Sequence, residues 1–251
     1  MIDLLVAWFA LPLSGAVDHT IESRLAWHGR LMVLAWAVLL PLGALAARFF
    51  KVLPGQGWPE VLDNARWWHA HRLLQYAGVA VAVGGLAVAW RAAEAPWRSL
   101  HTLGGWLVMA LAFAQVVGGG LRGTTGGPAR AGAPPVPGDH YDMTPRRVRF
   151  ERVHKALGWT AILLSMGVIV LGLVQADAPR WMLVALAGWW AALAAAFVGL
   201  QRAGWCVDTY QAIWGPDPVH PGNRRRPVGP GIRRGASIGQ RGGRGNRAAP
   251  P

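Results

Sequence analysis

Four histidines, His28, His71, His101 and His154, stand at or near the starts of four consecutive apolar segments. A chain that crosses a membrane repeatedly brings every second helix start to the same side. His28 and His101 then share one face, and His71 and His154 share the other. A titratable, metal-binding side chain inside a span is a functional-site candidate, because lipid penalises it unless something pairs with it. Two pairs, one at each face, are what two bis-histidine haems near the two surfaces would require. The chemistry implied is an electron path across a membrane.

The elements that must position these side chains are five apolar blocks at about 25–47, 73–90, 103–121, 156–174 and 181–200. Each approaches the ~20 residues that cross ~30 Å of hydrocarbon at ~1.5 Å per residue. Hydrophobic residues make up 53% of the chain and charged ones only 15%, and the apolar content comes in runs rather than with amphipathic period. Helices are the expected form, since lipid offers the backbone no other partners within one segment. The expected fold is an all-α integral membrane protein of five transmembrane helices, a four-helix haem-binding core with one peripheral helix.

Charge fixes an orientation. Arg48, Lys51, Arg66 and Arg72 lie on the first connection. Arg122, Arg130, Arg146, Arg147, Arg149, Arg152 and Lys155 lie on the third, and nine more basic residues follow from Arg202. The alternate side holds Arg24, Arg30, Arg91, Arg98 and Arg180 only. Twenty against five is a positive-inside pattern that puts the N-terminus outside and the C-terminus in the cytoplasm. The location expected is a bacterial inner (cell) membrane, with a periplasmic N-terminus. Eight of the thirteen net positive charges belong to 223–251, a Gly/Pro/Arg stretch with no acid. Its composition predicts disorder beside anionic lipid rather than a nucleic-acid function.

The expected organisation is an N-terminal interfacial segment over 1–23, on the periplasmic side, and a transmembrane domain over 24–201. A cytoplasmic juxtamembrane segment over 202–222 and the basic tail over 223–251 follow. Residues 1–17 are apolar but short, with Asp3 and Pro12 and no basic start, so they read as a surface-lying segment rather than a signal peptide or a sixth span. The one cysteine, Cys206, excludes an internal disulfide and a Cys-x-x-Cys-His haem attachment, so any haem is held by coordination and packing.

Diagonal partners in an up-down bundle leave room for a macrocycle, whereas adjacent helices pack at ~8–10 Å. His69 competes with His71, but two residues apart on a helix only one can face the interior, and His71 lies deeper in the apolar stretch. His19, His140 and His220 lie outside the spans and read as surface residues. Gly29, Gly104, Gly105 and Gly158 near the histidines would let a flat ring approach the backbone, although small residues also tighten helix packing. Arg30, Arg72 and Lys155 are candidates to hold propionates or attract an anionic reductant.

The chain resembles the eukaryotic, two-haem type of cytochrome b561, in a bacterial-looking five-helix version. The stretches that carry the resemblance are 27–51 (WHGRLMVLAWAVLLPLGALAARFFK), 67–75 (WWHAHRLLQ), 101–115 (HTLGGWLVMALAFAQ) and 154–165 (HKALGWTAILLS). It implies His28, His71, His101 and His154 as axial iron ligands, with His71 favoured over His69 by the Trp67-x-x-x-His71 spacing, and two non-covalent b haems. Ascorbate as electron donor is implied by the wider family. Two segments depart from the pattern, GDHYDMT at 138–144 and DTYQAIWGPDP at 208–218. The first reads as a cover over the inner site, a reductant-binding loop or a plain polar cap. The second reads as an amphipathic piece with its Trp and Ile on the bilayer.

The function expected is transmembrane electron transfer between a small-molecule or protein donor and acceptor, through haems with no open coordination position and irons roughly 20 Å apart. The alternatives are a quinol-linked membrane cytochrome and a non-catalytic, haem-containing membrane subunit. The spans hold no Asp or Glu and no broken helix, which argues against a channel or transporter. Membrane lipid is a partner by composition, and homodimerisation through small-residue faces is left open.

Overall fold

Lipid forces the apolar blocks to satisfy their own backbones, and each one is a helix. The computed structural model describes residues 1–16, 19–90, 99–129 and 132–235. Arg91, Arg98 and Arg130 of the charge count, and 236–251 of the basic tail, lie outside the described residues. The helices are α1 (Ile2–Ala10), α2 (Ser23–Phe49), α3 (Arg66–Trp90), α4 (Leu100–Gly120), α5 (Pro145–Gln175), α6 (Arg180–Arg202) and α7 (Thr209–Trp214). One two-residue antiparallel pair, β1 (Gly127–Pro128) with β2 (Pro135–Val136), closes the loop before α5.

α2 to α6 contain 21 to 31 residues, or ~32–46 Å, enough to cross ~30 Å of hydrocarbon. Large apolar side chains stand exposed along them, Leu73 and Phe113 at 71% each and Leu163 at 65%. A water-soluble surface does not carry such a band, and a lipid-facing one requires it. The protein is an all-α membrane protein, with five helices long and apolar enough to span among the described residues.

Local sequence sets several helix starts. Ser99 accepts from the Thr102 amide at the head of α4, and Asn64 accepts from the Arg66 amide at the head of α3. Pro145 opens α5, and the Thr144 hydroxyl accepts from the Arg147 amide. α5 begins eleven residues before its apolar block, through the charged run at 145–155. That run is helical because Arg147, Glu151 and Lys155 pair at i,i+4 spacing.

The chain divides into two compact units. The first comprises Met1–Leu45, Ala70–Val116 and Ala156–Gly199. Its core gathers Ala35, Trp36, Ala37, Leu40, Ala82, Val108, Ala112, Ala161, Ile169 and Leu186. α2 loosens into a π-helical stretch over Val33–Leu39, and the Trp189 indole N–H donates to the Ala37 carbonyl there at 2.6 Å. The nine residues of α1 span only ~14 Å, too short to cross the bilayer. Leu11 and Leu13 pair with the backbone of Arg180 and Ala178, and Ser14 bonds Asp177 through both its amide and its hydroxyl.

The second unit comprises Ala46–His69, Val117–Lys155 and the described part of Leu200–Pro251. Its core is aromatic: Tyr141, Tyr210 and Trp214 with Met143 and Val228. Asp208 caps α7 by accepting from the Tyr210 amide, and Gly215 ends the helix at φ +82°. Asp139 ties the preceding loop, accepting from the Thr124 amide and the Thr144 hydroxyl.

Candidate functional site

His28 rises from the first turns of α2 and His101 from the first turn of α4. Both belong to the first unit, and their ring centres lie 6.0 Å apart at an interplanar angle of 88°. Nδ1 of His28 stands 2.9 Å from the Gly85 carbonyl on α3, and Nδ1 of His101 stands 2.9 Å from the Val168 carbonyl on α5. A carbonyl can only accept, so each Nδ1 carries a proton and Nε2 is the nitrogen left to offer a lone pair. A backbone acceptor on Nδ1 is the arrangement that orients imidazole ligands in metal sites.

The spacing suits a shared ion. With ~1.1 Å from ring centre to Nε2 and a metal–imidazole bond of ~2.0–2.1 Å, two rings facing one ion have centres about 6.3 Å apart. The observed 6.0 Å fits a bis-histidine centre. Gly172 of α5 lies against His101, where a Cβ would come within 2.7 Å of Cε1.

His71 repeats the pattern within the first unit, its Nδ1 bonding the Gly43 carbonyl of α2 at 2.9 Å. A Cβ at Gly43 would stand 3.1 Å from Leu74, so the glycine also permits the approach of α3. His69 is exposed, as a residue on the opposite helix face should be. His154 belongs to the second unit, and its ring stacks on Phe150 at 5.2 Å and 26°.

The charged candidates divide. Arg30 and Arg72 are exposed, with their guanidinium groups over Trp27 at 5.0 Å and Tyr76 at 5.8 Å. Lys155 is engaged inside the second unit, donating to Glu151 at 2.9 Å and to the Val228 carbonyl at 2.7 Å. Among the glycines, Gly104 is a packing residue, where a Cβ would meet Val168 at 2.7 Å. Gly29 and Gly105 have no heavy atom within 4 Å of that position, and Gly158 makes only ordinary contact with Gln115.

Two expectations are corrected in the second unit. His140, read as a surface residue, is 8% exposed, and its ring packs on Trp214 at 4.6 Å. Burial, then the Arg147 cation, pushes its pKa down to about 3, so it is neutral in the folded loop. Trp214, read as lying on the bilayer, is 7% exposed within the aromatic cluster. The two segments outside the family pattern pack on each other: Tyr210 donates its hydroxyl to the Tyr141 carbonyl at 2.8 Å. Alternating polar and aromatic residues in both loops were the one available signal, and they do not name a partner.

Sequence reasoning also missed the three carbonyls that orient the histidines. The Gly84–Gly85 pair and Gly43 were the visible trace of two of them, because glycine lets a neighbouring ring reach the backbone.

Comparison with known proteins bears on what this pair belongs to. An Arabidopsis thaliana cytochrome b561, DM13 and DOMON domain-containing protein is 29% identical over 161 residues, 64% of this chain and 16% of that protein. A second Arabidopsis protein, with cytochrome b561 and DOMON domains, is 36% identical over 93 residues, 36% of this chain and 18% of its own. Over these stretches the chain is similar to proteins with cytochrome b561 domains. Human ferric-chelate reductase 1 is 27% identical over 148 residues, 58% of this chain and 22% of the reductase. The chain thus spans about a fifth or less of the length of these relatives. No family model matches it, and no solved structure gives a significant match.

Proposed function

We propose that the protein carries electrons across a membrane through two non-covalent b haems, each held by two histidines. His28 and His101 would hold the haem near the outer face, and His71 and His154 the one near the inner face. The observation that carries the reading is the His28–His101 pair: ring centres 6.0 Å apart, with both Nδ1 atoms committed to backbone carbonyls. The repeated geometry at His71 supports the second centre, as does the resemblance carried by the four sequence stretches that hold these histidines.

Bound haem would supply one-electron chemistry at an iron whose axial positions are both filled. The protein's part is to hold the histidines in one tautomer, to shield the centres with the apolar core around Trp36, and to present basic side chains at the inner surface. Arg30 would pair with propionates outside, and Arg72 and Lys155 would serve the inner face. The charge asymmetry supports a cytoplasmic C-terminus and, for a bacterial chain, the inner membrane. On the same reading residues 1–23 lie at the periplasmic interface, which the apolar, exposed surface of α1 supports.

The donor and acceptor are separated by experiment. Protein reconstituted in vesicles is supplied with ascorbate or a short-chain quinol on the cytoplasmic side and impermeable ferricyanide on the other. Transfer from ascorbate supports the small-molecule route, and transfer from quinol alone supports a quinol-linked cytochrome. Haem that stays reduced against the external oxidant supports a non-catalytic haem subunit and contradicts transmembrane transfer. The names of two relatives, the human and bovine ferric-chelate reductases, make a ferric chelate the second acceptor to offer.

A further inference from the structure

Residues 223–235 have a composition that opposes folding, yet they are fastened to the second unit along their length. Their contribution is mostly backbone. The Val228 carbonyl accepts from Lys155 at 2.7 Å, the Pro230 carbonyl from Arg48 at 3.0 Å, and the Gly231 carbonyl from Gln201 at 2.7 Å. A half-buried cation must keep acceptors around its N–H groups, and these carbonyls supply part of that shell.

The far end of the segment is bolted more firmly. Arg233 exchanges backbone bonds with Cys206 at 2.7 Å and Asp208 at 2.9 Å. Arg234 pairs with Asp208 at 2.5 Å and donates to the Asn223 and Gly222 carbonyls, and the Gly235 amide donates to Gln211. Asp208 is also the cap of α7, so a single carboxylate ties the segment to the helix that carries Trp214.

We propose that residues 223–235 are a latched strap that gates the approach of small anions to Arg48 and Lys155. Closed, the strap sets its own carbonyls on donors that an anionic reductant would otherwise engage. Open, after the Arg234–Asp208 pair parts, it withdraws the Val228 and Pro230 carbonyls from Lys155 and Arg48, which keep their bonds to Glu151 and Gln201 and gain room for an anion. The latch stands on the contacts above; its role as a gate rests on the electron-transfer reading.

The test compares full-length wild type with Arg234→Ala and Arg234→Lys in lipid nanodiscs. Loss of a charge-assisted bond raises the open population roughly ten- to a hundredfold. Hydrogen exchange at the Asp208, Arg233 and Gly235 amides should accelerate accordingly in Arg234→Ala and less in Arg234→Lys. Haem reduction by ascorbate, an anion, should quicken severalfold in Arg234→Ala, and reduction by an uncharged hydroquinone should not. Adding Lys155→Gln to Arg234→Ala should remove that gain. Unchanged amide exchange overturns the latch. Faster exchange with no selective gain for ascorbate overturns the gate. A folded chain without haem overturns the electron-transfer reading and the gate together, while amide exchange still reports on the latch.

Discussion

Gly172→Ala adds one methyl group where α5 meets the ring of His101. The new Cβ would stand 2.7 Å from Cε1 and 3.0 Å from Nδ1, whereas ordinary contact begins at 3.4 Å. The imidazole must therefore shift by about 0.7 Å, the difference between 3.4 and 2.7 Å. Its 2.9 Å bond to the Val168 carbonyl lies on the same helix and is stretched by that shift. Overpacking of this kind costs ~1–3 kcal/mol. Replacing glycine by alanine within a helix returns roughly 0.5–1 kcal/mol, so the net loss of stability is small. On the proposed reading the effect on His101 is not small, because a ligand displaced by most of an ångström would no longer meet an iron opposite His28. Gly105→Ala is the matched control, since a Cβ there meets nothing within 4 Å. The assay is haem per protein with a reduced-minus-oxidised spectrum and a thermal melt for each variant. Gly172→Ala should lose or perturb one haem while the melt changes little, and Gly105→Ala should keep both. A Gly172→Ala protein with both haems and an unaltered spectrum would refute the placement of His101 as a ligand.

Trp189→Phe removes the indole donor from the π-helical stretch of α2 and leaves the fully buried Ala37 carbonyl without it. It should cost about 1–3 kcal/mol, read as a lowered melting temperature with the haem spectrum retained. His140 makes the second unit sensitive to acid. Its pKa is pushed from 6.5 down to about 3 by burial, so between those values the unfolded loop takes up a proton that the folded loop refuses. Loop stability should fall as the pH drops through that window, by up to ~1.4 kcal/mol per pH unit. Amide exchange at Tyr210 and Gly215 should show this slope, and His140→Gln should flatten it.

The five spans were legible because lipid allows an apolar run few alternatives. The four histidines stood out as candidates because a polar group at a span's edge contrasts with the apolar background. The N-terminal extension of α5 was hidden from hydropathy, but the Arg147, Glu151 and Lys155 spacing records it. The carbonyls of Gly43, Gly85 and Val168 were not legible, since any residue offers one and only the packing of another helix selects it. Burial of His140 and Trp214 arises from two loops some seventy residues apart in sequence, and neither loop alone carries an apolar face. The strap escaped for a related reason: it binds mainly through main-chain carbonyls, which composition does not report.

The central claim is that two histidine pairs hold two haems, and a haem-to-protein ratio tests it most directly. The measurement compares purified wild type with His28→Ala and His71→Ala, each with a reduced-minus-oxidised spectrum. The account predicts two low-spin b haems in the wild type and the loss of one in each variant. Folded wild-type protein that holds no haem when grown with ample supply would contradict it.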